Sequence, residues 1–466
     1  MKVPTITSDL SIGKEFRGAQ LGNKQRTKRL ERIAERLEAH AGKSLPQALG
    51  SIADREATYR FLSNENISFG GILAPHFEMT ASRAEKHSEI LCIHDTTELE
   101  FDSSGPRRGL GRLRSKTSPQ GFFAHTSLAV ALSDVREPLG LLAVQPWTRT
   151  EQVRKMRKQA GGKEMDVWFE GAKQCEQRCS VSLIHVMDRQ GDSYEVYGNL
   201  MVDEMRFVIR ACHDRLLPDG GKLFETIQQA PLSVSRTVPL SRRERGQTPS
   251  ERRIYPQRRA RTAQLSIWAT TVTVARSEWI RDRQMSPELT LNVVYVVEEN
   301  PPTGQPPVNW YLVTTEPIDT QEYVLKVVDI YRARWIVEEL FKALKTGCQY
   351  ERLQLESYDA LLRALAIYLP VAWQLLRLRY LAGVATTAAA TTVLTPVQIA
   401  ILRAISNGQL PENPSVRDAL LAIAARGGHI KNNGDPGWLV LARGLHDLLL
   451  IEVGWCAAMK VKKSDQ

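Results

Sequence analysis

The spacing of apolar and polar positions changes several times along the chain. In LGNKQRTKRLERIAERLEAHAGKSL, Leu21, Leu30, Ile33 and Leu37 fall on one side, with Lys24, Arg26, Lys28, Arg29, Arg32 and Arg36 around the rest. This predicts a basic amphipathic helix; a second helix is predicted over 52–62, making residues 1–70 a small helical module. Short apolar runs follow at 90–93 and 183–187, each closed by an acid, Asp95 and Asp188. They predict buried strands, as do 125–132 and 139–144, joined by a polar turn at 133–137. Residues 146–180 are charged and predict a helix after Gly161–Gly162. RFVIRACH, LSVSRTVPL, TAQLSIWATTVTVA, LTLNVVYVVEE and VNWYLVTTE alternate or are β-branched, which predicts a β-rich stretch. An apolar helix kinked at Pro370 is predicted over 361–381, an Ala/Thr linker over 382–395 and a helical unit over 396–466.

The segment 319–346, DTQEYVLKVVDIYRARWIVEELFKALKT, predicts one long helix. Asp319, Thr320 and Glu322 form a capping-box pattern, Gly347 is the stop, and Leu325, Val328, Trp335, Leu340 and Leu344 recur at helical spacing. Tyr331, Arg334, Glu338 and Lys345 stand at offsets 0, 3, 7 and 14, within roughly a 60° sector of such a helix at ~100° per residue. An acid, two bases and a phenol on one stripe can hold a metal on the carboxylate and phosphates on the cations. The plainer alternative is a solvated face with Arg334–Glu338 as an i,i+4 pair.

Composition narrows the classes. A chain of 466 residues with 42% hydrophobic and 24% charged residues is globular, long enough for two to four domains. A net charge of +10 and a pI near 9.3 suit a polyanionic partner without telling DNA from RNA or an acidic membrane. The six cysteines are scattered with no CxxC pair. Cys175 and Cys179 have helical spacing, but no second ligand pair follows at zinc-finger distance, so reduced thiols of a cytoplasmic protein are expected. No secretory signal is visible, and the uncharged run 380–402 suits a linker better than a membrane span. Two arginine-rich segments stand out: GPRRGLGRLRSKTSPQG at 105–121, expected as a mobile loop able to contact phosphates, and 236–261, with nine arginines and three prolines, expected as a flexible basic loop.

An acid at the end of a central strand is costly unless it is paired or binds a metal. Two strand acids and a helix acid meeting at a sheet edge would bind two Mg²⁺ (or Mn²⁺) ions for phosphodiester chemistry, and all-oxygen donors suit those ions. Asp192, four residues beyond Asp188, is expected as a helix N-cap.

The motif Y-x2-R-x3-E-x6-K, in DIYRARWIVEELFKALKTG, resembles the signature of bacterial DDE transposases of the YREK group, the group of the cut-and-paste transposase of transposon five and its insertion sequence. The resemblance is collinear through LGNKQRTKRL, TYRFLSNENIS, IHDTTELEF, VMDRQGD, NPPTGQPPVNWYLVTTEPI, VLTPVQIAIL and GWLVLARG. It implies an α/β fold: an RNase H-like catalytic core over 71–370 with a β-rich insertion at about 200–318, a DNA-binding domain over 1–70 and a C-terminal helical domain over 371–466 for dimerisation. It implies Asp95, Asp188 and Glu338 as metal-binding catalytic acids. It places Tyr331, Arg334 and Lys345 on the terminal phosphates of the transposon end, Trp310 on a flipped base, and Arg26 and Arg29 on the terminal repeat. The implied partners are double-stranded transposon ends and target DNA, and a second copy of the chain on paired ends, with no membrane. The segments 149–163 and 236–261 depart most from the family. Taken singly, Trp310 also suits a core aromatic at a strand start, Lys342 a solvated side chain, and His94 and His125 core or supporting positions rather than metal ligands. An RNase H-type nuclease without strand transfer and a non-catalytic DNA-binding relative are the rival readings.

Overall fold

The computed structural model describes residues 11–464 apart from 103–104, 116, 134–135, 151–163, 241–256, 281, 283, 384–387, 407–408 and 431–435. Most of the arginine-rich segment 236–261 therefore lies outside the described residues. Helices α1 (Lys24–Ala39), α2 (Leu45–Leu49) and α3 (Ile52–Leu62) form the N-terminal module. The Asn23 side chain caps α1 by accepting from the Arg26 amide at 2.9 Å, and Ser51 caps α3 in the same way at Asp54. Helix α4 (Phe69–Ala84) leads into the sheet.

Ten strands form one mixed sheet: β1 (Glu89–Phe101), β2 (Gly111–Arg112), β3 (Gln120–Ala131), β4 (Pro138–Trp147), β5 (Ser182–Met187), β6 (Arg206–Ala211), β7 (Leu232–Leu240), β8 (Arg261–Ala275), β9 (Glu288–Glu299) and β10 (Asn309–Thr314). Their order is β2-β3-β1-β5-β6-β10-β9-β8-β7, with β4 beside β3. Among the strands of the described residues, β1–β5 and β5–β6 pair in parallel and the other pairs are antiparallel. The β-rich stretch is thus no separate sheet; β10 pairs with β6 and carries β9, β8 and β7 onward from the core.

Helix α5 (Asp166–Arg178) packs against β4, β3 and β1, and α6 (Tyr194–Val202) and α7 (Leu223–Gln228) follow on the same core. The other face of the sheet is covered by α8 (Gln321–Ala333), α9 (Trp335–Lys342) and α10 (Tyr358–Gly383). A bundle of α11 (Pro396–Ile405), α12 (Val416–Arg426) and α13 (Trp438–Ser464) completes the chain. Helix α10 is apolar and long enough to span a bilayer, but 94% of its apolar window is buried inside this protein; it is the central core helix, with Trp373 fully enclosed.

Several expectations are corrected. The helix expected over 319–346 is two helices joined at Arg334, then a π-turn over Ala343–Gly347. Its N-cap is Thr320, which accepts from the Tyr323 amide, not the Asp319–Glu322 box. Trp335, expected on the apolar face, is 38% exposed. Asp95 lies inside the 13-residue strand β1, not at its tip, because pairing with β3 carries the strand on to Phe101. The arginine loop after β1 is pinned: Arg107 stacks on Phe101 and donates to the Leu353 carbonyl, and Arg114 pairs with Glu98. Asp192 does not cap α6, which Ser193 does. Instead it accepts from the Cys212 and His213 amides and Tyr197, and pairs with Arg215.

Two stability predictions arise. Glu38 is buried on α1, and its Oε1 has no hydrogen-bond partner among the described residues. Burial first, then Glu35, pushes its carboxyl up to about 8. The folded chain thus holds a proton that the unfolded chain releases near 4.5, and stability falls as pH rises from about 4.5 to about 8. Glu38→Gln is expected to flatten that slope and to gain ~1–3 kcal/mol at alkaline pH, read as a higher melting temperature than wild type at pH 8.5 and little difference at pH 5.

At the crossing of α12 and α13 a Cβ on Gly427 would strike the Val440 carbonyl, and one on Gly444 the Ile423 carbonyl. Backbone meets backbone there, so neither contact can relax by a side-chain rotation. Gly444→Ala is expected to cost ~1–3 kcal/mol or more, seen as a lower urea midpoint for the C-terminal bundle.

Candidate active site

The sheet register brings the two strand acids together. Strands β1 and β5 run parallel, and their last paired residues are Ile93 and Val186. Asp95, still within β1, and Asp188, just past the end of β5, each lie two residues further on, which sets them side by side where the two strands part. Asp188 is fixed by accepting from the Gln190 amide at 2.8 Å, which starts a 3₁₀ turn. Asp95 accepts from the Thr96 amide at 2.7 Å.

Glu338 reaches the same place from above. Arg334, at the α8–α9 junction, places one guanidinium nitrogen 3.1 Å from Asp95 Oδ2 and the other on Glu338. The i,i+4 pair is present, but Arg334 is buried, not solvated, with only 11% of its side chain exposed. Burial, with the nearby charges of Asp188 and Glu338, pushes Asp95 up to about 7 against the opposing pull of Arg334. Burial also works against the Arg334 charge, but Tyr331, Glu338, Asp95 and Asp188 outweigh it and hold the guanidinium more firmly protonated than usual. Three carboxylates thus face one cation. The acid trio is not among the groups whose ligating atoms all lie within 4.8 Å of one another; those groups, among the described residues, are Cys92–His94–His185 and Asp192–Cys212–His213. The three acids converge around Arg334. Their donor set is all hard oxygen, the kind that divalent ions of the Mg²⁺ class take.

Beside the acids opens a cleft of about 400 Å³, lined by Trp310, Tyr331, Arg334, Arg189, Arg210 and Arg332 among others. The Trp310 and Tyr331 rings meet edge to face at 5.2 Å. Burial raises the Tyr331 hydroxyl pKa, opposed by Arg334 and Arg210. Sequence patterning did not single out Arg210, although it alternates outward in RFVIRACH, nor Trp335, whose helical phase pointed inward.

The other expected contacts lie elsewhere. Lys345 donates to the Glu98 carbonyl at 2.6 Å, lies 3.5 Å from Glu351, and does not line the cleft. Arg29 pairs with Asp54 at 3.2 Å and Arg26 donates to the Leu21 carbonyl at 2.9 Å, both within the N-terminal module.

A cluster of acids where two central strands part, beside an arginine-lined cleft, is suited to holding a polyanion against carboxylates. Comparison with known families assigns the parts. Residues 11–67 match the family described as Transposase DNA-binding, and residues 173–371 the family described as Transposase DDE domain. The chain carries a transposase DNA-binding domain followed by a DDE transposase domain. Arg26 and Arg29 fall in the first match, and Asp188 and Glu338 in the second; Asp95 precedes the second and joins it through the β1–β5 register. Among solved structures the chain is similar to a piggyBac transposase synaptic complex with hairpin DNA, determined by cryo-EM, at a TM-score of 0.35 and 10% identity over 66% of this chain and 50% of that one. The chain spans about half the length of that protein.

Proposed function

We propose that the protein is a cut-and-paste DNA transposase of the YREK group, built on an RNase H-like core, that binds terminal inverted repeats and works on paired ends as a homodimer. The observation that carries this reading is the meeting of Asp95 and Glu338 on Arg334, with Asp188 in register, inside a chain with transposase DNA-binding and DDE domains. Two divalent ions, Mg²⁺ or Mn²⁺, bound by the three carboxylates would supply activation of a water or 3′-hydroxyl and stabilisation of the leaving oxygen.

The residues of the chain do the rest. Arg334 and Tyr331, which line the cleft, hold phosphate oxygens beside the acids, and Arg210 steadies Tyr331. Trp310, edge-on to Tyr331, offers a ring face to an extruded base. By the family resemblance Arg26 and Arg29 are assigned to the terminal repeat and Lys345 to the terminal phosphates of the transposon end, which requires Lys345 to leave the Glu98 carbonyl and Arg29 to leave Asp54. On α13, Leu450, Val453, Trp455 and Met459 are exposed, which supports a contact with a second copy. The cytoplasm, with access to the nucleoid, is the proposed location.

The test is a cleavage assay on a duplex bearing the terminal repeat of the source element. Nicks with Mg²⁺, none with Ca²⁺, and joining of cut ends to a supercoiled plasmid are expected. Nicks without joining would identify an RNase H-type nuclease, and binding without nicks a non-catalytic relative.

A further inference from the structure

We propose that Cys92, His94, Cys175 and His185 form a closed zinc site on the sheet face opposite the catalytic acids. Cys92 and His94 are two residues apart on β1 and share one face, while Asp95, by the period of a strand, turns to the other. Cys92 stands in register with His185 on β5. Helix α5 covers this face and brings Cys175 Sγ to 3.3 Å from Cys92 Sγ. The His94 Nε2 and His185 Nδ1 atoms lie 2.9 Å apart. The ligating atoms of Cys92, His94 and His185 all lie within 4.8 Å of one another; Cys175 stands outside that group and reaches it through Cys92.

The outward nitrogens of both rings are already anchored. His94 Nδ1 is 2.9 Å from Ser127 Oγ, and His185 Nε2 is 3.1 Å from Glu176 Oε1. Metal-binding histidines are held in this way, with the far nitrogen tied to a hydroxyl or carboxylate and the near lone pair aimed at the ion. A tetrahedral zinc with bonds of about 2.3 Å to sulfur and 2.0–2.1 Å to nitrogen needs edges near 3.8 Å between sulfurs and 3.3 Å between nitrogens. The observed 3.3 Å and 2.9 Å edges are a few tenths of an ångström tighter, so seating the ion takes an opening at these two edges and a closer approach of Cys175 to the two imidazoles.

Charge agrees with this set. All four residues are fully buried, and two thiolates with two neutral imidazoles make an uncharged zinc complex, which a buried site requires. On binding, each thiol S–H is replaced by a Zn–S bond and two protons leave to solvent, with no change of oxidation state. No Cys-rich spacing announces the site because its ligands come from β1, β5 and α5. The ion would tie together the two strands that carry Asp95 and Asp188. This assignment does not depend on the DNA-processing reading.

The full chain, produced in zinc-supplemented medium and purified without chelator, is expected to hold about one zinc per chain by elemental analysis. Refolding with Co²⁺ should give thiolate-to-cobalt charge-transfer absorption and tetrahedral visible bands. The Cys92→Ser, Cys175→Ser double variant should lose both the zinc and the cobalt bands, while Asp188→Ala keeps them. Zinc-free wild-type protein without a thiolate–cobalt band would overturn the proposal and leave a metal-free hydrogen-bonded core. Zinc retained in the double variant would overturn it as well. If that variant does not fold, the wild-type cobalt spectrum decides: thiolate bands uphold the site and their absence rejects it.

Discussion

Asp188→Ala is expected to lower the rate of end nicking by about a thousandfold or more, over ~4 kcal/mol in the barrier, while binding of the same duplex changes less than about threefold. Asp188 lies in register with Asp95, and its charge acts on Asp95, Arg334 and Tyr331. Its removal takes one of three carboxylates from the proposed ion site. It also takes a negative charge from beside a DNA cleft, so binding should hold or tighten. The fold should survive, because Asp188 is only partly buried and its carboxylate's bond from the Gln190 amide opens a short 3₁₀ turn whose backbone bond from Gly191 to the Asp188 carbonyl remains. Single-turnover nicking and a mobility-shift titration separate the two effects. Nicking within a few-fold of wild type would remove Asp188 from the chemistry.

Arg334→Ala is expected to act on stability and activity together. The guanidinium is the shared partner of Asp95 and Glu338. Removing one partner from a buried ion cluster costs about 3–5 kcal/mol. Asp95, which already titrates near 7, offsets part of that cost by taking up a proton. The loss should therefore be smaller at pH 6 than at pH 8. Divalent ions should restore more stability to the variant than to wild type, since no guanidinium then bridges the carboxylates. Melting curves at both pH values, with and without Ca²⁺, check this, and nicking should still fall by about a hundredfold because a cation facing the phosphate is gone. A variant as stable as wild type at pH 8 without metal would refute the bridging role.

The sequence made the strands and helices of this site readable because each has a strong period. The apolar runs before Asp95 and Asp188 became β1 and β5, and the stripe through Tyr331, Arg334 and Glu338 survived the break between α8 and α9 because Arg334 keeps helical dihedrals there. Two things were not readable. The spacing along the chain could not tell that Arg334 would be buried between acids, since that depends on the β1–β5 register. Nor could it foresee the Cys92–His94–His185 group, since residues of β1 and β5, far apart in sequence, meet only through sheet pairing. Lys345 shares the stripe in projection, but the π-turn over Ala343–Gly347 turns it to Glu98.

The meeting of the three acids on divalent ions is tested most directly by iron-directed cleavage of the polypeptide. With the full chain bound to its end duplex, Fe²⁺ and ascorbate should cut the backbone near residues 95, 188 and 338 together. Excess Mg²⁺ should suppress all three cuts, and Asp188→Ala should abolish them. Cuts at one segment alone, or cuts indifferent to Mg²⁺, would contradict a shared site.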